Sequence, residues 1–388
     1  MKLAANVKRC LERAATLGLP FAVWRRPDGS FFEAAISCAP IEKRAVFGAP
    51  SRQPFFALNR FDVEQANITD AIPADVLIEG SEIRFYNGDA YQPETVNAVQ
   101  EQLRDAAVQP AAEMPIQAGA APHPAQTGER AYKTLVRETV DAIRGGRFLK
   151  IVLSRSEARA LPDDYDLLGY LETLAALYPT AFTALVVAPG LGAWLVATPE
   201  TLMSVARGEI QTMALAGTQW AEGAEDGTGL HWPDKIIEEQ ALVARYIRDA
   251  FRASGIGSVR ERGPRTVRAA NLYHLRSEFS APVEIGGEPV LADLLDRLHP
   301  TSAVCGMPKA DALDYLRASE GYDRSYYTGY LGPVGIGGTT DLFVNLRSAQ
   351  VIEDRIFLFV GGGIVAASDP DVEWEETVQK TRTIASVL

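Results

Sequence analysis

The chain has 388 residues, 47% of them hydrophobic and 23% charged, an ordinary globular composition. Acidic residues outnumber basic ones 50 to 38 for a net charge of −12. That balance repels phosphate backbones and argues against nucleic acid as a partner. It would also repel a small anionic substrate, which would then have to be held by locally placed Arg, Lys, backbone N–H groups or a metal.

No uninterrupted apolar run of about 18 residues occurs, so no membrane span is expected. The segment Met1–Arg9 lacks the apolar core of a signal peptide. Cys10, Cys38 and Cys305 cannot all pair with one another and show no metal spacing. Together these features predict a cytoplasmic protein.

The N-terminal third alternates short apolar runs with turn signals. Phe21–Arg25 and Phe31–Ile36 flank Pro27-Asp28-Gly29-Ser30 and predict a β-hairpin. Ala45–Gly48 and Phe55–Leu58 are further strand candidates, and Asp75–Glu79 with Glu82–Tyr86 form another pair around Gly80-Ser81. Residues 109–129 are rich in Pro, Ala and Gln with little to bury, and predict a linker or mobile loop. A helix over Ala131–Arg144 should stop at Gly145-Gly146, with a strand from Phe148 to Ser154. Later strands are expected over Thr183–Val187, Ala193–Ala197, Leu342–Leu346 and Arg355–Val360, and helices over Ile236–Ser254, Lys309–Ser319 and Val372–Ser386. Strands in groups with helices between them indicate a mixed α+β or α/β chain.

Four features could carry chemistry. Lys150 lies on a strand that is apolar on both faces, so it either snorkels from an end or is enclosed, where desolvation would lower its pKa toward that of a general base. Glu239 falls between Ile236 and Val243 in the apolar stripe of its helix, a place where a carboxylate needs a cation or donors, while Glu238 is available as the ordinary solvated neighbour. Glu376 and Lys380 sit four apart, as common surface pairs do, yet two carboxylates from two helices would also suit Mg²⁺. Gly361-Gly362-Gly363 after the last strand either turns the chain tightly or brings backbone N–H groups close to an anion. His299-Pro300-Thr301 and Arg347 are polar punctuation that composition leaves open. Together these signals indicate an anion-binding enzyme of Mg²⁺-using type.

From Ala131 onward the chain resembles the chorismate-utilising enzymes: the isochorismate, salicylate, anthranilate and aminodeoxychorismate synthases. The resemblance rests on Phe148-Leu149-Lys150-Ile151-Val152-Leu153-Ser154-Arg155, Thr198-Pro199-Glu200, Ala216-Gly217-Thr218 and Tyr273-His274-Leu275. It continues through His299–Gly306, Glu320-Gly321-Tyr322-Asp323-Arg324-Ser325-Tyr326-Tyr327-Thr328-Gly329, Leu342–Arg347, Gly361–Val365 and Glu373-Trp374-Glu375-Glu376-Thr377 with Lys380. It implies one compact unit over 1–388 with a large antiparallel β core flanked by helices, as in anthranilate synthase component I. Within it, residues 1–108 would be a β-rich N-terminal part, 109–129 the linker and 130–388 the chorismate-binding catalytic part.

The resemblance also implies roles. Glu239 and Glu376 would hold Mg²⁺, which would grip the ring carboxylate of chorismate. Tyr327, Arg347, His274, Lys380 and the backbone at Gly361 and Gly363 would contact the substrate, and Gly217 and Thr218 would line the ring pocket. Lys150 would be the base that activates water for attack at C2, and Glu200 the acid that protonates the departing C4 hydroxyl. Lys150 where anthranilate synthases usually carry Gln, and Ala216 where aminodeoxychorismate synthases carry a nucleophilic Lys, imply water as the nucleophile. The implied activity is isochorismate synthase, an isomerase of hydroxymutase type serving menaquinone or siderophore formation. Salicylate synthase and a catalytically idle chorismate binder are the competing assignments. A monomer is expected. The chain departs from many members around the first metal ligand, where Ile236 replaces a carboxylate and Gln240 a histidine.

Overall fold

A computed structural model describes residues 1–48, 53–86, 93–108, 116–220, 231–269, 272–283 and 286–388. Two sheets carry the described residues. In the first, ten strands lie in the order Gly306–Met307, Lys150–Ala160, Arg355–Ile364, Ser348–Ile352, Gly192–Thr198, Phe182–Ala188, Phe21–Arg25, Glu33–Ile36, Val76–Glu79 and Glu82–Phe85. In the second, nine strands run Arg260–Ala269, Leu272–Pro282, Glu209–Trp220, Thr201–Ala206, Thr339–Val344, Tyr330–Ile336, Phe55–Asn59, Ile68–Pro73 and Glu42–Ala45. Neighbours are antiparallel throughout both. The large antiparallel core is as expected, and strands from residues 1–108 are woven into both sheets, pairing Phe21 with Val187 and Phe55 with Val334.

The period-2 alternation of strand side chains builds the layers. Trp24, Phe182, Trp194 and Phe359 of the first sheet meet Phe56 and Phe343 of the second in one buried cluster between the sheets. The opposite face of the first sheet, with Phe21, Val23 and Leu195, is covered by helices Ala5–Thr16 and Leu167–Leu177. The second sheet packs Ile210 and Ala214 against helices Asp234–Ala253 and Glu288–Leu298. Strands buried on both faces are therefore apolar nearly throughout, as in Phe182–Ala188.

Several expectations are revised. The N-terminal third also holds helices Ala5–Thr16 and Pro93–Val108. The strand expected over Ala45–Gly48 instead occupies Glu42–Ala45. Of the linker, residues 109–115 lie outside the described residues. Residues 116–128 have no regular structure, but Ile116 and Ala118 are buried, and the Ala118 N–H donates to the Tyr165 hydroxyl at 3.0 Å. The expectation of little to bury does not hold there. Among the described residues, no helix is long and apolar enough to cross a membrane.

Candidate active site

Lys150 opens strand Lys150–Ala160, with Ile151 and Leu153 turned into the core under the helices and Lys150 and Val152 facing a cavity. Its neighbour Leu149 is 57% exposed, whereas Lys150 is 4% exposed. The lysine is thus enclosed, and the snorkelling alternative is ruled out.

The glycine triplet lies within strand Arg355–Ile364, paired with Ser154, Leu153 and Val152, and so makes no turn. What demands glycine is close approach. A β-carbon on Gly363 would lie 2.8 Å from Lys150 Cε and 3.1 Å from Glu239 Oε1, and one on Gly361 would lie 2.6 Å from the Leu153 carbonyl oxygen. The bare strand surface is what lets the lysine and the carboxylate reach the same place.

Glu200 follows strand Gly192–Thr198 and is 4% exposed in the same cavity. Burial pushes its pKa up to about 8, against the opposing pull of the Lys150 ammonium. The carboxyl therefore holds its proton at neutral pH.

Glu239 sits on helix Asp234–Ala253 in line with buried Val243 and Ile247, while Glu238 is exposed. Its Oε1 is buried with no hydrogen-bond partner among the described residues. Glu376 and Lys380 line the cavity from helix Pro370–Ala385, 2.6 Å apart, and Lys380 Nζ also donates to the Gly361 carbonyl at 2.9 Å. They are an i, i+4 pair, and at the cavity rim as well.

The remaining wall comes from three places. His274 is buried on strand Leu272–Pro282, opposite in direction to Tyr273 and Leu275, which cluster with Trp232. Tyr327 stacks on Phe359 at 5.3 Å, and burial raises its pKa. Arg347 donates from Nη1 to Thr383 Oγ1 at 3.0 Å; burial lowers its pKa from the ordinary value. Its φ of +47° is in the left-handed region, a conformation that surrounding structure must impose on a non-glycine residue.

The structure thus gathers Lys150, Glu200, Glu239, His274, Tyr327, Arg347, Gly361, Gly363, Glu376 and Lys380 around one cavity. Gly217 and Thr218 fall where the register of strand Glu209–Trp220 slips, between Ala216 and Gln219; their side chains lie outside the described residues. Of the two residues that depart from the family pattern, Gln240 is held in the packing and Ile236 also lines the cavity. Gln240 Nε2 donates to the Ala214 carbonyl at 3.2 Å and to Ser277 Oγ at 2.9 Å, and Ile236 packs on the Trp232 cluster. Glu373, which the resemblance includes only as part of a motif, is 1% exposed, with Oε2 3.4 Å from where a β-carbon on Gly362 would stand.

The donor set fits a hard cation. Carboxylate oxygens from two helices face one cavity, and one of them is buried without a partner among the described residues. Among the described residues no group of three or more His, Cys, Asp or Glu forms a self-sufficient metal cage. Mg²⁺, which keeps several waters and takes few protein ligands, needs none.

Comparison with known proteins gives the family. The family described as "Chorismate binding enzyme" matches residues 81–388. The salicylate biosynthesis isochorismate synthase of Pseudomonas aeruginosa is 35% identical over 264 residues, covering 67% of this chain and 55% of the relative. Anthranilate synthase component 1 of Aquifex aeolicus is 28% identical over 268 residues, covering 66% of this chain and 52% of the relative. The chain thus spans about half the length of these curated relatives. The structure of the menaquinone-specific isochorismate synthase of Escherichia coli superposes with a TM-score of 0.77 at 20% identity, covering 97% of this chain and 91% of that one. The chain belongs to the chorismate binding enzyme family.

Proposed function

We propose that this protein is an isochorismate synthase, an isomerase that converts chorismate to isochorismate with Mg²⁺. The observation that carries the proposal is the pairing of a buried lysine with a buried carboxyl whose pKa is pushed up to about 8, in one cavity. With Lys150 as the free amine, water attacks C2 of the ring and gives its proton to Nζ. The two conjugated ring double bonds shift together, and the C4–O bond breaks. Hydroxide is a poor leaving group, so the C4 oxygen takes the Glu200 proton as it departs. One water enters and one leaves, with no net redox change.

Tyr327, Arg347 and Lys380 supply a hydroxyl and two cations for the substrate carboxylates, and the bare backbone at Gly361 and Gly363 lets one of them approach closely. His274 closes the wall, and Gly217 and Thr218 belong to the ring pocket by family resemblance. Glu239 and Glu376 would hold the Mg²⁺, which supplies a positive charge for the ring carboxylate. Three free thiols suit a cytoplasmic site of action.

The test is incubation of the purified protein with chorismate and Mg²⁺, followed by chromatography of the products. Isochorismate that disappears on chelation of the metal is the expected result. Salicylate with pyruvate, or a product only when ammonia is added, would move the assignment to a sister activity. No turnover at all would leave a chorismate binder.

A further inference from the structure

Arg324 lies behind the cavity wall, buried, and every donor of its guanidinium is used. Nε donates to Glu320 Oε2 at 2.7 Å. Nη1 donates to the Val304 carbonyl at 2.8 Å and to Thr328 Oγ1 at 3.2 Å. Nη2 donates to the Val152 carbonyl and to Glu320 Oε1, both at 2.6 Å. A guanidinium has five N–H groups in a rigid fork, and here all five are met. Glu320 Oε1 in turn accepts from the Ser154 N–H at 2.7 Å and from Ser154 Oγ at 2.9 Å.

The three acceptors other than Glu320 belong to three separate segments, and each of Val152, Val304 and Thr328 lines the cavity while Arg324 does not. Val152 is two residues from Lys150, and Thr328 adjoins Tyr327. A buried ion pair is a costly way to hold a core, since a well-packed apolar pair of similar volume is often as stable. What an apolar pair cannot do is fix three backbone segments at set distances and angles.

We propose that Arg324, held by Glu320, is a positioning residue. It sets the strand bearing Lys150, the 301–305 turn and the Tyr327–Thr328 corner relative to one another, and so sets the reactive geometry of the cavity without touching the substrate. The inference rests on the functional reading above for its kinetic readout only.

The test compares wild type, Arg324→Lys and the double variant Glu320→Leu with Arg324→Met. The double variant removes both charges, so no ion is left buried alone and the fold should survive. Displacement of a reacting group by about 1 Å costs on the order of a hundredfold, so kcat for chorismate should fall by about tenfold to a hundredfold in the double variant. KM should change by less than about threefold. Arg324→Lys keeps the charge but has only three donors on one nitrogen, and should recover part of the loss. A folded double variant with wild-type kcat, or a loss carried wholly by KM, would overturn the inference.

Amide exchange supplies a readout that needs no turnover. The Val152 N–H donates to the Cys305 carbonyl at 2.8 Å and the Thr328 N–H to that of Asn345 at 2.9 Å. Both should exchange about tenfold faster in either variant while amides of strand Phe182–Ala188 keep their protection. A wild type without turnover sinks the functional reading alone, and unchanged exchange at Val152 and Thr328 then sinks the positioning role.

Discussion

Lys150 lies so close against Gly363 that a β-carbon there would stand 2.8 Å from its Cε and 3.3 Å from its Nζ. Glycine at 363 and lysine at 150 are therefore one structural choice. Gly363→Ala should leave the secondary structure and most of the stability intact while forcing the Lys150 amino group out of place. Turnover is expected to drop by about a hundredfold, and circular dichroism checks that the fold remains. Wild-type activity would show that the lysine has another place to go.

Glu200 makes activity and stability depend on pH in a defined direction. Its pKa is about 8 in the folded protein against an ordinary 4.5. A step that needs its proton is complete below that value and is lost as pH rises through about 8. Stability has the following sign. Below the unfolded pKa both states carry the proton; as pH rises the unfolded chain ionises first, so folding stability falls between about 4.5 and about 8 and is level above. Glu200→Gln should abolish most turnover and yet raise the melting temperature relative to wild type, more at pH 8.5 than at pH 5.

Metal binding can be read without substrate. Glu239→Gln and Glu376→Gln each remove one anionic oxygen donor, and Mn²⁺ titrations followed by paramagnetic resonance should show at least about tenfold weaker binding. Glu239→Gln should also fold normally, because Oε1 is buried without a partner among the described residues and the amide carries no charge to desolvate. Equal Mn²⁺ affinity in both variants and wild type would remove these carboxylates from the metal site.

Phe359 stacks between Tyr327 and Trp194 at 5.3 Å to each ring and also lines the cavity. Phe359→Leu should cost about 1 kcal/mol of stability. Freed from its stack, Tyr327 should hold the substrate less well, so KM should rise several-fold with kcat little changed. Steady-state kinetics beside denaturant melts separate the two effects.

Local patterns carried much of the architecture. Alternation around Pro27-Asp28-Gly29-Ser30 predicted the hairpin now seen as Phe21–Arg25 paired with Glu33–Ile36, and helix Lys309–Ser319 matches its expected bounds. Helix Ala5–Thr16 was passed over although its buried Val7, Cys10, Leu11 and Ala14 follow helical spacing; a run of only twelve residues among strand-like neighbours obscured it. The strand containing Gly361–Gly363 was cut short because glycine has low strand propensity, and nothing local reveals that its lack of a side chain makes room for Lys150.

The sequence by itself determined part of the elements, among them the Phe21–Ile36 hairpin and helix Lys309–Ser319, the candidate residues and, through dense motif resemblance, the family. These rest on short-range spacing and residue chemistry, which are written along the chain. Only the tertiary structure decided that Lys150 is enclosed, that Glu238 is exposed while Glu239 is buried, that Glu200 keeps its proton, and that Arg324 ties three cavity segments together. Desolvation and hydrogen-bond partnership depend on atoms far apart in sequence. Arg324 and Val152, for instance, are 172 residues apart along the chain and 2.6 Å apart in space.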